Sequence, residues 1–241
     1  MSDLKDQIAV VTGASSGIGK ACCYALAKAG VAVCLLGRNI NELKKIESEI
    51  REYSPLSKAV KVDLFNDDEI SEAVSLIKNE YGAVHILVHS AGIYSVGKVK
   101  EAPVQDFDDQ YKINVRAPYF LTQQLLSLID KSLGQIVFIN STVVMAAKSN
   151  LSQYCATKSA LKALADSLRI EINTEGIRVL TIYPGRTATP MQEDICKHEG
   201  IAYNAETMIQ PEQVAKLLVS SLKMPRDAEI TDITVRPMNA A

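Results

Sequence analysis

The sequence has no long hydrophobic run, although 47% of its 241 residues are hydrophobic. No apolar stretch approaches the roughly 18 residues that a membrane-spanning helix requires. The opening MSDLKDQIAVVTG is polar and then strand-like, and it lacks the apolar core of a signal peptide. We therefore expect a cytoplasmic protein without a membrane segment, whose apolar residues form an ordinary buried core.

An excess of charge of one sign is also missing. The 26 basic and 28 acidic residues give a formal net charge of −2, and the two signs are mixed along the chain. Proteins that bind nucleic acid usually carry a basic stripe or a high isoelectric point, whereas this chain has a pI of about 6.0. Nucleic acid is therefore not an expected partner.

The cysteines are few and scattered. Their number is odd, and they form neither a C-x-x-C motif nor a cluster with histidine: Cys22, Cys23, Cys34, Cys155 and Cys196. This pattern predicts a reducing compartment, without a structural zinc or any other metal site. Cys155 could be a thiol nucleophile, but no histidine lies near it in the sequence, so we expect a packed small residue.

Strand-like runs alternate with helical stretches along the chain. Strands are predicted over 8–12, 31–36, 58–62, 85–89, 134–140, 178–183 and 229–235, and helices over 19–30, 40–53, 68–82, 105–130, 153–174 and 211–223. Several of the strands are continuously rich in Val, Ile and Leu, which is typical of strands covered on both faces. The alternation predicts one α/β domain over 1–241, with a doubly wound parallel sheet and helices on both faces. The connection 186–210 is the least regular part, and we expect it to form a substrate lid.

Three glycines follow the first predicted strand in TGASSGIG, residues 12–19. Gly13, Gly17 and Gly19 permit a tight turn, a close approach of the backbone to a phosphate, and close packing of helix on strand. The helix that follows at once offers free N–H groups and a positive dipole end to an anion. Since a merely tight turn needs only one glycine, the spacing predicts a dinucleotide-binding loop.

The end of the second predicted strand indicates which dinucleotide. An acidic residue usually binds the adenine ribose of NAD at this position, but here LLGRN places Gly37 there, followed by Arg38 and Asn39. A carboxylate would repel a 2′-phosphate, whereas a guanidinium pairs with one. The alternative is an exposed arginine near a helix start. The sequence favours NADP(H).

Tyr154 stands four residues before Lys158 at the head of an amphipathic helix. This spacing puts the two side chains on one helix face. A neighbouring ammonium favours the phenolate form of a tyrosine, whose pKa is ordinarily about 10, and makes it a usable acid or base. The alternative is a lysine stem lying over a packed tyrosine ring. The pair by itself leaves both interpretations open.

With TGxxxGIG at 12–19 and Y-x-x-x-K at 154–158, the chain resembles the short-chain dehydrogenase/reductase family over essentially its whole length. The resemblance implies a Rossmann-type sheet of about seven strands in the order 3-2-1-4-5-6-7. Ser141, thirteen residues before the tyrosine, matches the family's catalytic serine, and Asn114 in YKINVRAP matches its helix asparagine.

The family mechanism assigns a role to each of these four residues. Tyr154 would exchange a proton with the substrate oxygen, and Ser141 would orient that oxygen. Lys158 would lower the pKa of the tyrosine and hold the nicotinamide ribose. Asn114, through a backbone kink and a water, would connect Lys158 to a proton relay. The cofactor performs the redox step, so no metal is needed.

The resemblance also implies a set of contacts to NADP(H). They are Gly13, Ser15, Ser16, Gly17, Ile18, Gly19, Arg38, Asn39, Asp63, Leu64, Ala91, Gly92, Tyr154, Lys158, Pro184, Gly185, Thr187 and Thr189. We expect the substrate pocket to be formed by 93–100, 143–151 and 186–210. Its predicted apolar lining is Ile93, Tyr94, Val96, Val143, Val144, Met145, Leu151, Met191 and Ile195. A small or medium hydrophobic carbonyl compound, rather than a charged one, is the expected substrate.

The sequence departs from the family pattern at two places. HSAG, residues 89–92, replaces the usual NNAG, so His89 or Ser90 is expected to substitute for the asparagine that ties neighbouring strands together. His89 is expected to be structural rather than a catalytic base. The ending EITDITVRPMNAA lacks the Gly-Gly pair of many ketoacyl carrier-protein reductases and resembles that of carbonyl reductases.

Several functions stay open besides an NADP(H)-dependent reductase of ketones, aldehydes or diketones. The fold would also suit an NAD-dependent alcohol, sugar or steroid dehydrogenase, or a 3-oxoacyl-thioester reductase. A non-catalytic nucleotide-sensing protein is a further possibility, since a fold does not fix a function. Such proteins typically lose the tyrosine or the lysine, and both are present here.

The helices predicted over 105–130 and 153–174 are apolar on more than one face. The residues concerned are Tyr119, Phe120, Leu121, Leu125, Leu126, Leu128 and Ile129 in the first, and Leu161, Leu164, Leu168, Ile170 and Ile172 in the second. A second apolar face must be buried against something. In the family this is a twofold-related copy, so we expect a homo-oligomer, specifically a tetramer. A monomer with exposed apolar residues is the alternative.

Overall fold

Seven parallel strands form one sheet in the order β3-β2-β1-β4-β5-β6-β7 in the computed structural model, which describes residues 3–238. The strands are β1 (Ile8–Thr12), β2 (Ala32–Gly37), β3 (Lys58–Lys61), β4 (Ile86–His89), β5 (Gln135–Ile139), β6 (Arg178–Pro184) and β7 (Asp232–Val235). This confirms the predicted fold class and strand order. The final three residues of the C-terminal segment compared with carbonyl reductases lie outside the described residues.

Helices cover both faces of the sheet, which is why the central strands are apolar throughout. They are α1 (Gly17–Lys28), α2 (Ile40–Ile50), α3 (Asp67–Tyr81), α4 (Val104–Tyr111), α5 (Ala117–Leu125), α6 (Ser152–Ile172), α7 (Pro190–Glu199) and α8 (Pro211–Leu222). Helices α1, α2 and α8 share one core cluster with the sheet, and α3, α5 and α6 share the other. Every residue of β5 and β6 is buried. Burial on both faces removes the polar alternation that a half-exposed strand would show.

The helix predicted over 105–130 is interrupted. Between α4 and α5 the chain makes one turn of π-helix, Lys112–Arg116, and after α5 a 3₁₀ turn, Leu126–Leu128. A π-turn widens the helix by one residue and often marks a functional position. The resemblance implied a backbone kink at Asn114, and the π-turn places one there.

The connection 186–210 is more regular than expected, because it contains α7 and a 3₁₀ turn, Ala205–Thr207. The hydroxyl of Thr189 caps α7 by accepting from the Gln192 N–H, and Pro190 occupies the first helical turn. Gly200 ends the helix in the left-handed region with φ 69°. Thr-Pro at the start and Gly at the end are helix boundary signals, so the sequence contained the signals that mark both ends of α7.

No helix among residues 3–238 is both long enough and apolar enough to cross a membrane.

Candidate active site

A cavity of about 240 Å³ opens at the carboxyl ends of the strands. The loops that follow β1, β4, β5 and β6 form its wall, together with the first turns of α6 and part of α7. The strand order reverses between β1 and β4, and in open α/β sheets ligands bind outside the strand ends at such a switch point. The cavity is therefore where the topology places a ligand site.

The glycine loop after β1 leaves no room for side chains at two positions. Gly13 has φ +66°, and a Cβ there would lie 2.9 Å from the backbone of Ala91 in the loop after β4. A Cβ on Gly19 would lie 2.3 Å from the carbonyl oxygen of Gly13. Helix α1 begins at Gly17, in the cavity wall, where its first N–H groups have no intrahelical partner. This cradle of backbone fits a phosphate.

Thr12 ties the ends of β1 and β4 together. Its hydroxyl accepts from the N–H groups of Ser90 and Ala91, both at 3.1 Å. This tie between β1 and β4 uses the side chain of Thr12, whereas the ring of His89 contacts the neighbouring strand β5 by stacking on Phe138. The expected role of His89 or Ser90 in tying neighbouring strands together stays a prediction. A threonine at the end of β1 can tie the two strand ends together because its hydroxyl reaches two successive backbone N–H groups of the loop after β4.

His89 is buried and points away from the cavity. Its Nε2 lies 2.8 Å from the Thr122 hydroxyl, and its ring stacks on Phe138 with centroids 4.9 Å apart. Burial lowers its pKa to about 3, so the ring is neutral at physiological pH. Its stacking on Phe138, its contact with Thr122 and its absence from the cavity lining favour the structural interpretation.

Asn114 sits in the π-turn and is fully buried. Its amide nitrogen donates to the carbonyl of Ile93 at 2.8 Å and to the Thr157 hydroxyl at 3.1 Å. Its side-chain oxygen accepts from the Ile93 N–H at 2.9 Å. A Cβ on Gly92 would lie 3.3 Å from that oxygen and 3.7 Å from Lys158 Nζ. Asn114 thus fixes the loop after β4 close beside the lysine.

Lys158 is only 4% exposed, although it carries an ammonium group. Its Nζ donates to the carbonyl of Ile139 at 3.1 Å, and its own carbonyl accepts from the Asn140 side chain at 3.1 Å. Burial lowers its pKa from an ordinary 10.5 to about 8. Among residues 3–238 no carboxylate forms an ion pair with this lysine. A buried, unpaired ammonium is costly, which makes Lys158 a candidate for function rather than stability.

Tyr154 is 9% exposed and lines the cavity beside Ser141. Burial raises the pKa of Tyr154 to about 12, and the neighbouring Ser141 hydroxyl opposes part of that rise. The expectation that Lys158 lowers the pKa of Tyr154 is therefore wrong. Lys158 Nζ lies 5.9 Å from the tyrosine ring centroid, above the ring rather than against the hydroxyl, so burial dominates.

The residues predicted to bind the adenine end lie outside this cavity, around the ends of β2 and β3. The side chain of Arg38 is exposed and has no acidic partner in the described part of the chain. Asn39 caps α2 by accepting from the Glu42 N–H at 3.3 Å, which leaves its amide nitrogen free to donate. The Asp63 carboxylate accepts from the Phe65 N–H at 3.0 Å, and Leu64 is half-buried beside it.

Ser15 connects the two groups of predicted cofactor contacts. Its hydroxyl would lie 3.7 Å from a Cβ on Gly37, so it faces the end of β2 rather than the cavity. Fourteen of the predicted cofactor or catalytic positions line the cavity itself: Gly13, Ser16, Gly17, Ile18, Gly19, Ala91, Gly92, Ser141, Tyr154, Lys158, Pro184, Gly185, Thr187 and Thr189. The predicted contacts thus follow one continuous surface from β2 to α6.

The predicted apolar lining holds for part of the wall only. Val143, Leu151, Met191 and Ile195 line the cavity. Tyr94 and Val96 pack behind it, against a cluster of Val143, Leu151, Tyr154 and Cys155. The other predicted lining residues, Ile93, Val144 and Met145, do not line the cavity. Cys155 contributes packing here, as expected of a small residue.

Several polar residues of the wall were not singled out individually from the sequence. Among them are Lys148, Arg186, Gln192 and Glu199. Arg186 and Glu199 form an ion pair at 2.5 Å, with side chains 33% and 30% exposed. The thirteen-residue separation of Arg186 and Glu199 does not indicate an ion pair. The two side chains meet only because α7 folds back between them, and α7 was not predicted from the sequence.

Over residues 3–238 no group of three or more His, Cys, Asp or Glu side chains is arranged to hold a metal ion. All five cysteines are buried and unpaired.

Comparisons with known proteins agree with this geometry. A model of the short chain dehydrogenase family matches residues 7–200. An uncharacterized oxidoreductase of Staphylococcus saprophyticus is 30% identical over 240 residues, covering 99% of this chain and 100% of that protein. A short chain dehydrogenase of Shigella flexneri complexed with NADP is 28% identical, with a TM-score of 0.88 over 97% of this chain and 98% of that one.

A second solved structure carries a different cofactor. The 3-ketoacyl-(acyl-carrier-protein) reductase of Brucella melitensis complexed with NADH is 25% identical, with a TM-score of 0.84 over 96% of this chain and 97% of that one. Other similar structures are complexes with NADP or NADPH.

Proposed function

We propose that this chain, which belongs to the short-chain dehydrogenase family, is an NADPH-dependent reductase of a ketone, aldehyde or diketone. The observation that carries the proposal is the meeting of Ser141, Tyr154 and Lys158 in the cavity that begins at the glycine cradle. One continuous cavity can hold a nicotinamide and a carbonyl group against two hydroxyl donors.

The residues present fit a dinucleotide. The backbone cradle around Gly13 and Gly19 would hold the pyrophosphate, and Lys158 would hold the nicotinamide ribose. Pro184, Gly185, Thr187 and Thr189 would border the nicotinamide and the pyrophosphate. When bound, NADPH supplies the hydride.

The side chains of the cavity would stabilise and protonate the carbonyl oxygen. Ser141 and Tyr154 both present hydroxyl groups to the cavity, and donors aimed at an oxygen that gains negative charge lower the barrier. Tyr154 is protonated at neutral pH, because its pKa is raised to about 12. It would give this proton to the substrate oxygen, so its resting state suits reduction better than oxidation.

Lys158 and Asn114 would restore the proton. The Lys158 ammonium becomes a neighbour of the phenolate once Tyr154 has lost its proton, and it would then stabilise that phenolate. With a pKa of about 8, Lys158 can itself give up and regain a proton near neutral pH. Asn114 holds the loop beside Lys158 and would keep the route to solvent in place.

The preference for NADPH over NADH is supported by Arg38. Its guanidinium is exposed at the end of β2, next to the position where an acidic residue would select NAD, and the described residues offer it no competing carboxylate. Asn39 adds an amide donor. Both can reach out from a loop end toward a 2′-phosphate.

An NAD-dependent 3-oxoacyl-thioester reductase is the second candidate. It is favoured by the similarity to the Brucella melitensis ketoacyl reductase complexed with NADH. The exposed Arg38 argues against it. A non-catalytic nucleotide sensor is a weaker candidate. Ser141, Tyr154 and Lys158 line one cavity, and Asn114 holds the loop after β4 beside Lys158.

We further propose a homo-oligomer, expected to be a tetramer. Several residues counted as surplus in the sequence are buried within the chain, including Leu121, Leu125, Leu161 and Ile172. Large apolar side chains still remain exposed on α4, α5 and α6: Phe107, Tyr111, Tyr119 and Ile170, at 38%, 49%, 54% and 79%. Light scattering that gave a mass near the 26.2 kDa of one chain would refute assembly.

An NADPH-oxidation screen over ketones, diketones, quinones and acyl thioesters tests the proposed reaction. We expect turnover with at least one ketone or diketone, and a higher kcat/KM with NADPH than with NADH. Absence of turnover with every carbonyl class, together with tight NADPH binding, would favour the sensor. Turnover confined to acyl thioesters would favour the second candidate.

A further inference from the structure

We propose that the carbonyl substrate carries a carboxylate, bound by Lys148 and Arg186 at the end of the cavity farthest from the glycine loop. This assignment names the substrate class of the same cavity, and it therefore rests on the proposed function. It concerns the polar part of the wall, which the predicted apolar lining does not explain.

Helix α7 connects the glycine loop to the opposite end of the cavity. At its start, Thr189 meets the loop, since a Cβ on Gly17 would lie 3.1 Å from Thr189 Cγ2. Its 10 residues span roughly 15 Å. Near its end, the ring of His198 meets that of Tyr94 edge to face, with centroids 6.4 Å apart. Tyr94 packs on the cluster that contains Tyr154, so the end of α7 lies on the side of the catalytic tyrosine.

The guanidinium of Arg186 points to this end of α7. One terminal nitrogen, Nη2, lies 2.5 Å from the Glu199 carboxylate. The other, Nη1, has only the weak acceptor Cys196 Sγ at 3.7 Å. A guanidinium has five N–H donors, so Arg186 keeps donor capacity toward the cavity. The bound Glu199 also shows that a carboxylate fits against Arg186 at this place.

Lys148 adds an unpaired positive charge to the wall of the same cavity. It lies in the loop before α6, between the wall residues Val143 and Leu151, and its side chain is exposed. No carboxylate within residues 3–238 forms an ion pair with it. By itself an exposed lysine indicates little, but this one faces a cavity that also contains a partly free arginine.

The charges of the wall are unequal. Lys148, Lys158 and Arg186 are basic, and Glu199 is the acidic residue among the lining side chains of the described chain. The two other acidic residues of α7 lie outside the cavity wall, and both pair with Lys197 at 3.3 Å. A cleft lined by an excess of one charge concentrates ligands of the opposite sign.

The apolar residues of the cavity wall indicate the chemistry of the rest of the substrate. Val143, Leu151, Met191 and Ile195 would surround a short apolar chain. The geometry therefore points to a keto or aldehyde acid, with its carbonyl at Tyr154 and its carboxylate at Lys148 and Arg186.

Levulinate and its methyl ester form a matched pair of probes, since both are ketones of the same chain length and only the acid is charged. With wild-type protein and NADPH, we expect kcat/KM to be about five-fold or more higher for the acid. Lys148→Gln should remove most of this preference by lowering kcat/KM for the acid only. Lys216→Gln is the matched control, because it removes an exposed lysine on α8, away from the cavity.

Glu199→Gln tests Arg186 without removing it. The variant keeps the shape of the side chain but no longer neutralises the guanidinium, so kcat/KM for levulinate should rise while that for the ester stays unchanged. Equal or better turnover of the ester by the wild type, or equal effects of Lys148→Gln and Lys216→Gln, would overturn the carboxylate assignment and leave the reductase standing. If no carbonyl compound of any class oxidised NADPH, both proposals would fall together.

Discussion

The two walls of the cavity hold their side chains in different ways. On the wall formed by the start of α6 and supported by the π-turn, Asn114, Tyr154 and Lys158 are at most 9% exposed. On the wall formed by the segment after β6, Arg186 and Glu199 are about one-third exposed and joined by a single ion pair. Buried side chains with fixed partners keep one geometry, which proton transfer requires. Partly exposed charges can exchange partners, which suits the recognition of a ligand that enters and leaves.

The buried wall carries an energetic cost that the open wall does not. Burial lowers the pKa of Lys158 from 10.5 to about 8, a difference of about 3 kcal/mol between its charged and neutral forms. The ion pair of Arg186 is accessible to water and contributes little to stability. Changes on the first wall should therefore alter chemistry and stability strongly, and changes on the second should alter selectivity.

The largest effect is expected from Tyr154→Phe on the buried wall. This change removes the proton donor and almost no volume, so kcat should fall by about a hundred- to ten-thousand-fold while NADPH affinity stays close to that of the wild type. Steady-state turnover and a fluorescence titration of NADPH measure the two quantities. Tyr53→Phe, at a tyrosine 48% exposed, is the control. Equal activity of the two variants would remove Tyr154 from the mechanism.

Lys158→Met should abolish turnover and raise stability. Below about pH 8 the wild-type lysine is charged in both the folded and the unfolded state, so the full burial cost is present. Between about pH 8 and 10.5 only the unfolded state keeps the proton, so the cost declines and wild-type stability should rise with pH. The variant lacks this rise and should be more stable at neutral pH by up to about 3 kcal/mol.

Urea unfolding at several pH values measures the effect of Lys158→Met. Lys162→Met is the matched control on the same helix, at a lysine whose side chain is 44% exposed. The control should change the free energy of unfolding by about 1 kcal/mol or less. A loss of stability in Lys158→Met at neutral pH would mean that the bond to the Ile139 carbonyl outweighs the desolvation cost.

The preference for NADPH over NADH is expected to depend on a third region, the exposed end of β2 at Arg38 and Asn39. Arg38→Ala combined with Gly37→Asp should shift the ratio of kcat/KM from NADPH toward NADH by about ten- to a hundred-fold. The nearest atoms to a Cβ at Gly37 are the Leu43 methyls and the Ser15 hydroxyl at 3.6–3.7 Å, which is ordinary van der Waals contact, so the backbone accepts a side chain there. Lys44→Ala, an exposed lysine of α2, controls for the loss of charge. A wild type that already prefers NADH would contradict the assignment.

The smallest effect is expected from Cys155→Ser, next to Tyr154, the proposed catalytic tyrosine. The thiol is buried in the cluster of Val143, Leu151 and Tyr154 and contributes only packing there. We expect kcat/KM close to that of the wild type and a loss of stability of about 1 kcal/mol. Loss of turnover with unchanged stability would instead support a thiol nucleophile and make the buried wall chemically more complex than proposed.

Much of the site could be predicted because short sequence motifs specify it. The glycine loop has to supply backbone space at Gly13 and Gly19, and no other residue type provides it. Tyr154 and Lys158 share a face because helix geometry fixes residues four apart. Ser141 and Asn114 were assigned by the resemblance to the family. The structure places Ser141, Tyr154 and Lys158 in the cavity wall and Asn114 against the loop beside it.

Interactions between distant segments could not be predicted in this way. The sequence did not indicate that the Thr12 side chain ties β1 to β4 or that His89 stacks on Phe138, since these contacts join segments that are remote along the chain. The pKa of Tyr154 was expected to fall but rises to about 12, because burial depends on what the rest of the chain packs around the ring.

The sequence by itself determined the α/β class, the strand order through its family resemblance, and the identity of the catalytic candidates. The α/β class follows from hydrophobic periodicity and the Tyr154–Lys158 pair from its spacing within one helix, which are properties of neighbouring residues, whereas the resemblance to the family implied the strand order, Ser141 and Asn114. Only the tertiary structure decided how deeply Lys158 is buried, where α7 lies, and that Arg186 and Glu199 meet in the cavity wall. Burial and ion pairing depend on distances between segments remote along the chain, and those distances exist only once the sheet and its helices have assembled.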